Sequence, residues 1–159
     1  MKASKSSQAL SLDAMQRDAL LPHLRAFADA AADTESRASY VELESAIRNL
    51  EIAPELVPML GVILEVTLQS GRARRENGPG AEISLASLYQ KTPRGAELAA
   101  SLISLNSALN KLAGETIESM SASSRIPGTY MVTIKTGSLQ LVIRLGAAGA
   151  SVDSLEVAL

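Results

Sequence analysis

The hydrophobic period of this chain changes once, and that change sets the fold class. As far as Leu112, apolar residues recur every three or four positions. From Tyr130 they alternate: Tyr130, Val132 and Ile134, then Leu139, Leu141, Ile143 and Leu145 after Thr136-Gly137. Spacings of three and four put side chains on one face of a helix, whereas spacings of two put them on one face of a strand. A two-residue loop at Thr136-Gly137 pairs Ile134 with Leu139, Val132 with Leu141, and Tyr130 with Ile143, with all the apolar partners on one face. The sequence therefore predicts an α+β chain: a helical N-terminal half, then a long helix packed on a small antiparallel sheet with a C-terminal β-hairpin.

The helices can be placed from their punctuation. Residues 12–32 read as helical, with Leu20, Leu24, Phe27 and Ala31 on one face and a break near Leu21 that leaves Pro22 in the first turn of a second helix. Ser39-Tyr40-Val41-Glu42 has the form of a capping box, followed by the stripe Leu43, Ala46, Ile47 and Leu50. Pro54 stops that helix. Leu56, Leu60, Ile63, Leu64 and Leu68 continue the helical period to Gly71, which suits a C′ position. Residues 71–80 hold three Gly, one Pro and three Arg and read as a loop. A short helix follows Ser84, carrying Leu85, Leu88 and Tyr89. Thr92-Pro93 then opens the longest stripe, Leu98, Leu102, Leu105, Leu109 and Leu112, closed by Gly114. Ile117 to Met120 suits a third strand, and the tail fits two periods: Leu155, Val157 and Leu159 alternate, while Val152 and Leu155 suit a helix.

A chain of 159 residues fits one domain. Residues 1–10, rich in Ser and Lys, read as a disordered N-terminus, and residues 11–159 as a single α+β domain with a helical part (11–70), a loop (71–80) and a helix-plus-hairpin part (81–159). The first residues have no apolar stretch of the kind a signal peptide needs, and the apolar stretch 56–68 is interrupted by Pro58 and Glu65 and too short to span a bilayer. Cysteine is absent, which removes disulfides, thiolate nucleophiles and Cys-based metal sites. These features together point to the cytoplasm.

Chemistry is harder to place. His23 is the sole histidine and sits at an expected helix start, as a surface or capping residue. Neither a nucleophile elbow nor a phosphate-binding glycine motif occurs. Glu42 and Glu44 stand two residues apart on a helix, point apart, and read as a solvated acidic face. The expectation is a non-enzymatic protein with no cofactor and no metal. Charge is uneven: residues 13–55 carry nine acids and four bases, a net of −5, whereas residues 71–94 carry five bases and two acids, a net of +3. Arg72, Arg74 and Arg75, with Lys91 and Arg94, are suited to a phosphate backbone or an acidic partner. Aromatics make up only 3% of the chain, which argues against base-stacking modules.

From about residue 55 to 145 the order of parts is helix, loop, short helix, long capped helix, short strand, hairpin. That order resembles a winged helix-turn-helix domain, and the local likeness is to the DNA-binding domains of two-component response regulators. Leu102, Leu105, Leu109, Lys111 and Leu112 match the apolar stripe and basic end of the family's recognition helix. Ile126-Pro127-Gly128-Thr129-Tyr130 matches its glycine-plus-tyrosine turn into the last strand. The resemblance implies DNA binding in transcription regulation, with Arg72, Arg74, Arg75, Lys91 and Arg94 on phosphates and Asn106, Asn110 and Lys111 approaching bases. The hairpin tip, with Lys135 as its one basic residue, departs from a DNA-contacting wing. The alternative reading is a protein-interaction or assembly module. It self-associates through an apolar face, the hairpin edge or the leucine stripe, and forms a salt-resistant homo-oligomer without a membrane.

Overall fold

A computed structural model describes residues 9–147 and 149–157. The chain is α+β, and it forms two compact units, Met1–Ala96 and Glu97–Leu159, within the stretch that the sequence reads as one domain.

The first unit is built on four helices: α1 (Ala14–Ala30), α2 (Thr34–Arg48), α3 (Val57–Gln69) and α4 (Arg72–Gln90). A two-residue antiparallel pair ties its start to its middle: β1 (Leu10–Ser11) joins β2 (Glu51–Ile52), with Leu10 opposite Ile52. Leu10 is thus paired rather than disordered; of the rest of the expected disordered stretch, Ala9 is exposed and residues 1–8 lie outside the described residues. The core is aliphatic. Leu20, Leu24, Leu43, Ile47, Ile52, Leu60, Leu64, Leu85 and Leu88 are fully buried.

The structure departs from three local expectations. α1 runs unbroken through Pro22. Pro22 lies on the exposed side of the helix, where the Asp18 carbonyl that loses its N–H partner can face water, while Leu20 and Leu24 on the other side hold both halves to the core. The N-terminus of α1 has its own capping box: Asp13 accepts from the Gln16 N–H at 2.8 Å, and Gln16 Oε1 accepts from the Asp13 N–H at 3.1 Å. Helix α2 begins at Thr34 rather than Ser39, because Asp33 caps it by accepting from the Ser36 N–H at 2.7 Å. Ser39 is interior and donates to the Glu35 carbonyl. Residues 71–80 are not a loop. Gly71 has φ +66° and ends α3 as expected, but α4 begins on the next residue. The Gly/Pro signal marks a kink instead. Gly78 adopts φ 84° and ψ 173°, and Pro79 then sits in the first turn of the second helical piece, where a missing N–H costs nothing. Buried Ala73 anchors the first piece.

Helix α5 (Pro93–Asn110) begins in the first unit and continues in the second. Four antiparallel strands follow in meander order: β3 (Ile117–Ile126), β4 (Thr129–Thr136), β5 (Leu139–Gly146) and β6 (Gly149–Val157). The tail, which fits either period by sequence, is a strand to Val157; Leu159 lies outside the described residues. The hairpin forms with a register two residues from the expected one: Ile134 faces Leu141, Val132 faces Ile143 and Tyr130 faces Leu145. The turn is Gly137-Ser138, because the buried Thr136 hydroxyl accepts from the Leu139 N–H at 3.0 Å and holds Thr136 opposite Leu139. A shift of two keeps every apolar side chain on its face, so the pattern alone does not distinguish the two registers. Fully buried Leu141 centres this unit's core, with Ala108 of α5, Ile134 and Ile143 around it and Leu105, Leu112, Val132, Val152 and Leu155 packed alongside.

Candidate functional site

The basic residues singled out by sequence are placed by α4 and the start of α5, and most already have acidic partners. Arg72 Nε lies 3.3 Å from Glu76, one helical turn on, and Arg74 lies 3.6 Å from Glu82. Arg94 bonds Glu65 of α3. Arg75 turns back to the Ser70 carbonyl at 3.1 Å. Helical geometry also separates the cluster: Ala73 is buried, so Arg72 and Arg74 lie on either side of it rather than side by side. Lys91 is exposed and has no acidic partner among the described residues. Asn106, Asn110 and Lys111 are exposed on or just beyond α5, in the second unit, whereas the five basic residues belong to the first.

His23 is a core residue, not a surface cap. It is 3% exposed, continues the buried stripe Gln16, Ala19, Leu20 and Leu24, and its Nδ1 lies 3.7 Å from Glu76 Oε2, beyond hydrogen-bonding reach. Its Nε2 is buried and has no hydrogen-bond partner among the described residues. Glu44, read as part of a solvated acidic face, instead joins two helices. It accepts from Arg48 at 2.7 Å and from Arg25 of α1 at 3.3 Å, and these hydrogen bonds, Arg48 first, hold its carboxyl below the ordinary glutamate range. Among the described residues no cluster of His, Asp and Glu is arranged to hold a metal ion, and no helix is long and apolar enough to cross a membrane.

The second unit presents a different kind of surface. Among the described residues strand β3 forms one edge of the sheet, and all ten of its residues are exposed, including Ile117 (52%), Met120 (61%) and Ile126 (64%). A strand with both faces and one edge open to water leaves apolar area and backbone hydrogen-bonding groups unmatched. No family model, curated protein or solved structure matches the chain.

Helix α5 leaves part of its expected core stripe outside. Ser101, Leu105, Ala108 and Leu112 face the sheet, and the Ser101 hydroxyl donates to the Ala150 carbonyl. Leu102 and Leu109, seven residues apart, stay 43% and 37% exposed on one flank. The opposite flank borders β6 across a shallow groove of about 410 Å³ lined by Ile103, Ser104, Ser107, Lys111, Val152 and Leu155. β3 was only half visible in the sequence, as Ile117 to Met120. Its further extent is signalled by the alternation of Ser119, Ser121 and Ser123 with Met120 and Ala122, a period of two that weak side-chain hydrophobicity hides.

Proposed function

We propose that this chain is a non-enzymatic cytoplasmic assembly module that self-associates through the open side of its second unit. The observation that carries this reading is β3: ten consecutive exposed residues at a sheet edge, three of them large and apolar. Soluble chains seldom leave such an edge uncovered, because it templates pairing with another strand. The half-exposed leucines of α5 add apolar area on the same unit. The DNA-binding alternative has less support, since Arg72, Arg74 and Arg94 would each have to exchange a carboxylate for a phosphate.

Light scattering at low and high salt, with and without a mixed-sequence DNA duplex, tests the reading. The expected result is an oligomer whose mass is unchanged by salt, because apolar burial and backbone pairing are little screened, and which ignores DNA. A monomer at every concentration, or a DNA complex that falls apart as salt rises, would overturn it.

A further inference from the structure

β3 is not uniformly suited to pairing. Its register with β4 is regular at residues 119–123 and shifts on both sides, between Ile117 and Ser119 and between Ser123 and Ile126. Register shifts bend a strand and turn its edge away, so the flat stretch is the five residues centred on Ser121. That stretch contains no proline and no charge, the devices that ordinarily keep edges apart; Glu118 and Arg125 lie just beyond its ends. The other edge, β6, is guarded: its register shifts mid-strand beside Asp153, and it carries Glu156.

Two copies of an edge strand that continue one antiparallel sheet are related by a two-fold axis normal to the sheet. Such an axis keeps each face on its own side, so facing residues must have the same orientation, and one residue faces its own counterpart. Centring the axis on the flat stretch sets Ser121 opposite Ser121, Ser119 opposite Ser123, and Met120 opposite Ala122. The last pair occurs twice and matches a large side chain with a small one. Met120 and Ala122 pair within the chain with Ile134 and Val132, so they share the sheet face on which α5 packs over the later strands, but are themselves left uncovered. Their apolar surface would extend that core across the axis. On the other face only serines meet, and no like charges oppose each other.

We propose that the partner is a second copy of this chain, joined β3 to β3 about an axis at Ser121, so that two four-stranded sheets become one of eight strands. This rests on the assembly reading above. A pairing centred on five residues is small beside the roughly 800 Å² per partner of a standard stable interface, so the dimer is expected to dissociate on dilution.

The chain has no cysteine, so a spin label can be placed at one position of the full-length protein through Ser119→Cys, Ser121→Cys or Ser123→Cys. The expected label-to-label separation is shortest at 121. At 119 and 123 it is longer and equal, the labels being offset by about 14 Å along the strand because each step of ~3.4 Å counts in both copies. Ser121→Glu, which sets two carboxylates face to face, should weaken the dimer about tenfold or more while circular dichroism stays unchanged. A dimer by light scattering with no short separation at 121, or one that tolerates Ser121→Glu, overturns the β3 pairing and leaves the assembly reading standing. A wild-type chain that is monomeric throughout overturns both.

Discussion

Thr92 makes two hydrogen bonds at the start of α5: its Oγ1 donates to the Tyr89 carbonyl at 2.7 Å and accepts from the Gly95 N–H at 3.2 Å. This turn brings the chain so close to itself that a methyl at Gly95 would overlap the Tyr89 carbonyl and lie 2.6 Å from the Gln90 Cα. Thr92→Ala should cost about 0.5–2 kcal/mol, the range for loss of such a cap. Gly95→Ala should cost more, because the backbone itself must move. Urea melts of the two variants check both the size and the order. The cap was legible in the sequence, since Thr-Pro before an apolar stripe has a local cause. The glycine was not, because its neighbour is a carbonyl that arrives only once the turn has closed. His23 is an intermediate case. Position 23 completes the stripe Gln16, Ala19, Leu20, Leu24 and Phe27, but Pro22 drew the helix boundary to the wrong place and with it the expectation of exposure.

At the scale of elements, sequence reasoning succeeded where punctuation and periodicity agreed: α3 with Gly71, α5 with Thr92-Pro93, and the hairpin faces. It failed where one signal had two structural meanings. Gly78-Pro79 can end a helix or kink it, and burial of Ala73 decides for the kink. The arginines before it read as a cluster, yet helical spacing separates them, and Glu76 and Glu82 pair with Arg72 and Arg74 while Glu65 holds Arg94. Glu44 shows the same effect of tertiary placement, since its bond to Arg25 links α2 to α1 across 19 positions of sequence. Its carboxyl is held below the ordinary range, so it is more acidic folded than unfolded. The linked stability is therefore fully present above the unfolded glutamate pKa of ~4.3 and is lost as pH falls through the lower folded value. Thermal melts of wild type and Glu44→Gln should differ most near neutral pH and converge towards pH ~3. A gap that persists in acid would mean that Glu44 acts by packing rather than charge.

At the scale of the whole molecule, two separate cores accompany the two compact units. One is the aliphatic cluster of α1–α4, and the other is the small cluster of Ala108, Ile134, Leu141 and Ile143 with its half-buried surround. The sequence reads residues 11–159 as one domain because α5 runs without a linker from the first unit into the second. Separate cores predict separate responses. Leu64→Ala and Leu141→Ala each empty a fully buried site, at a cost of about 2–5 kcal/mol where the surroundings do not collapse. Amide hydrogen exchange should show Leu64→Ala lowering protection in α1–α4 and sparing β4 and β5, with Leu141→Ala doing the reverse. The second variant should also lose self-association, because the surface proposed to pair is presented by the sheet that Leu141 centres. If each substitution instead lowered protection evenly from α1 to β6, the chain would be one cooperative domain. Self-association would then track global stability rather than the integrity of the second unit.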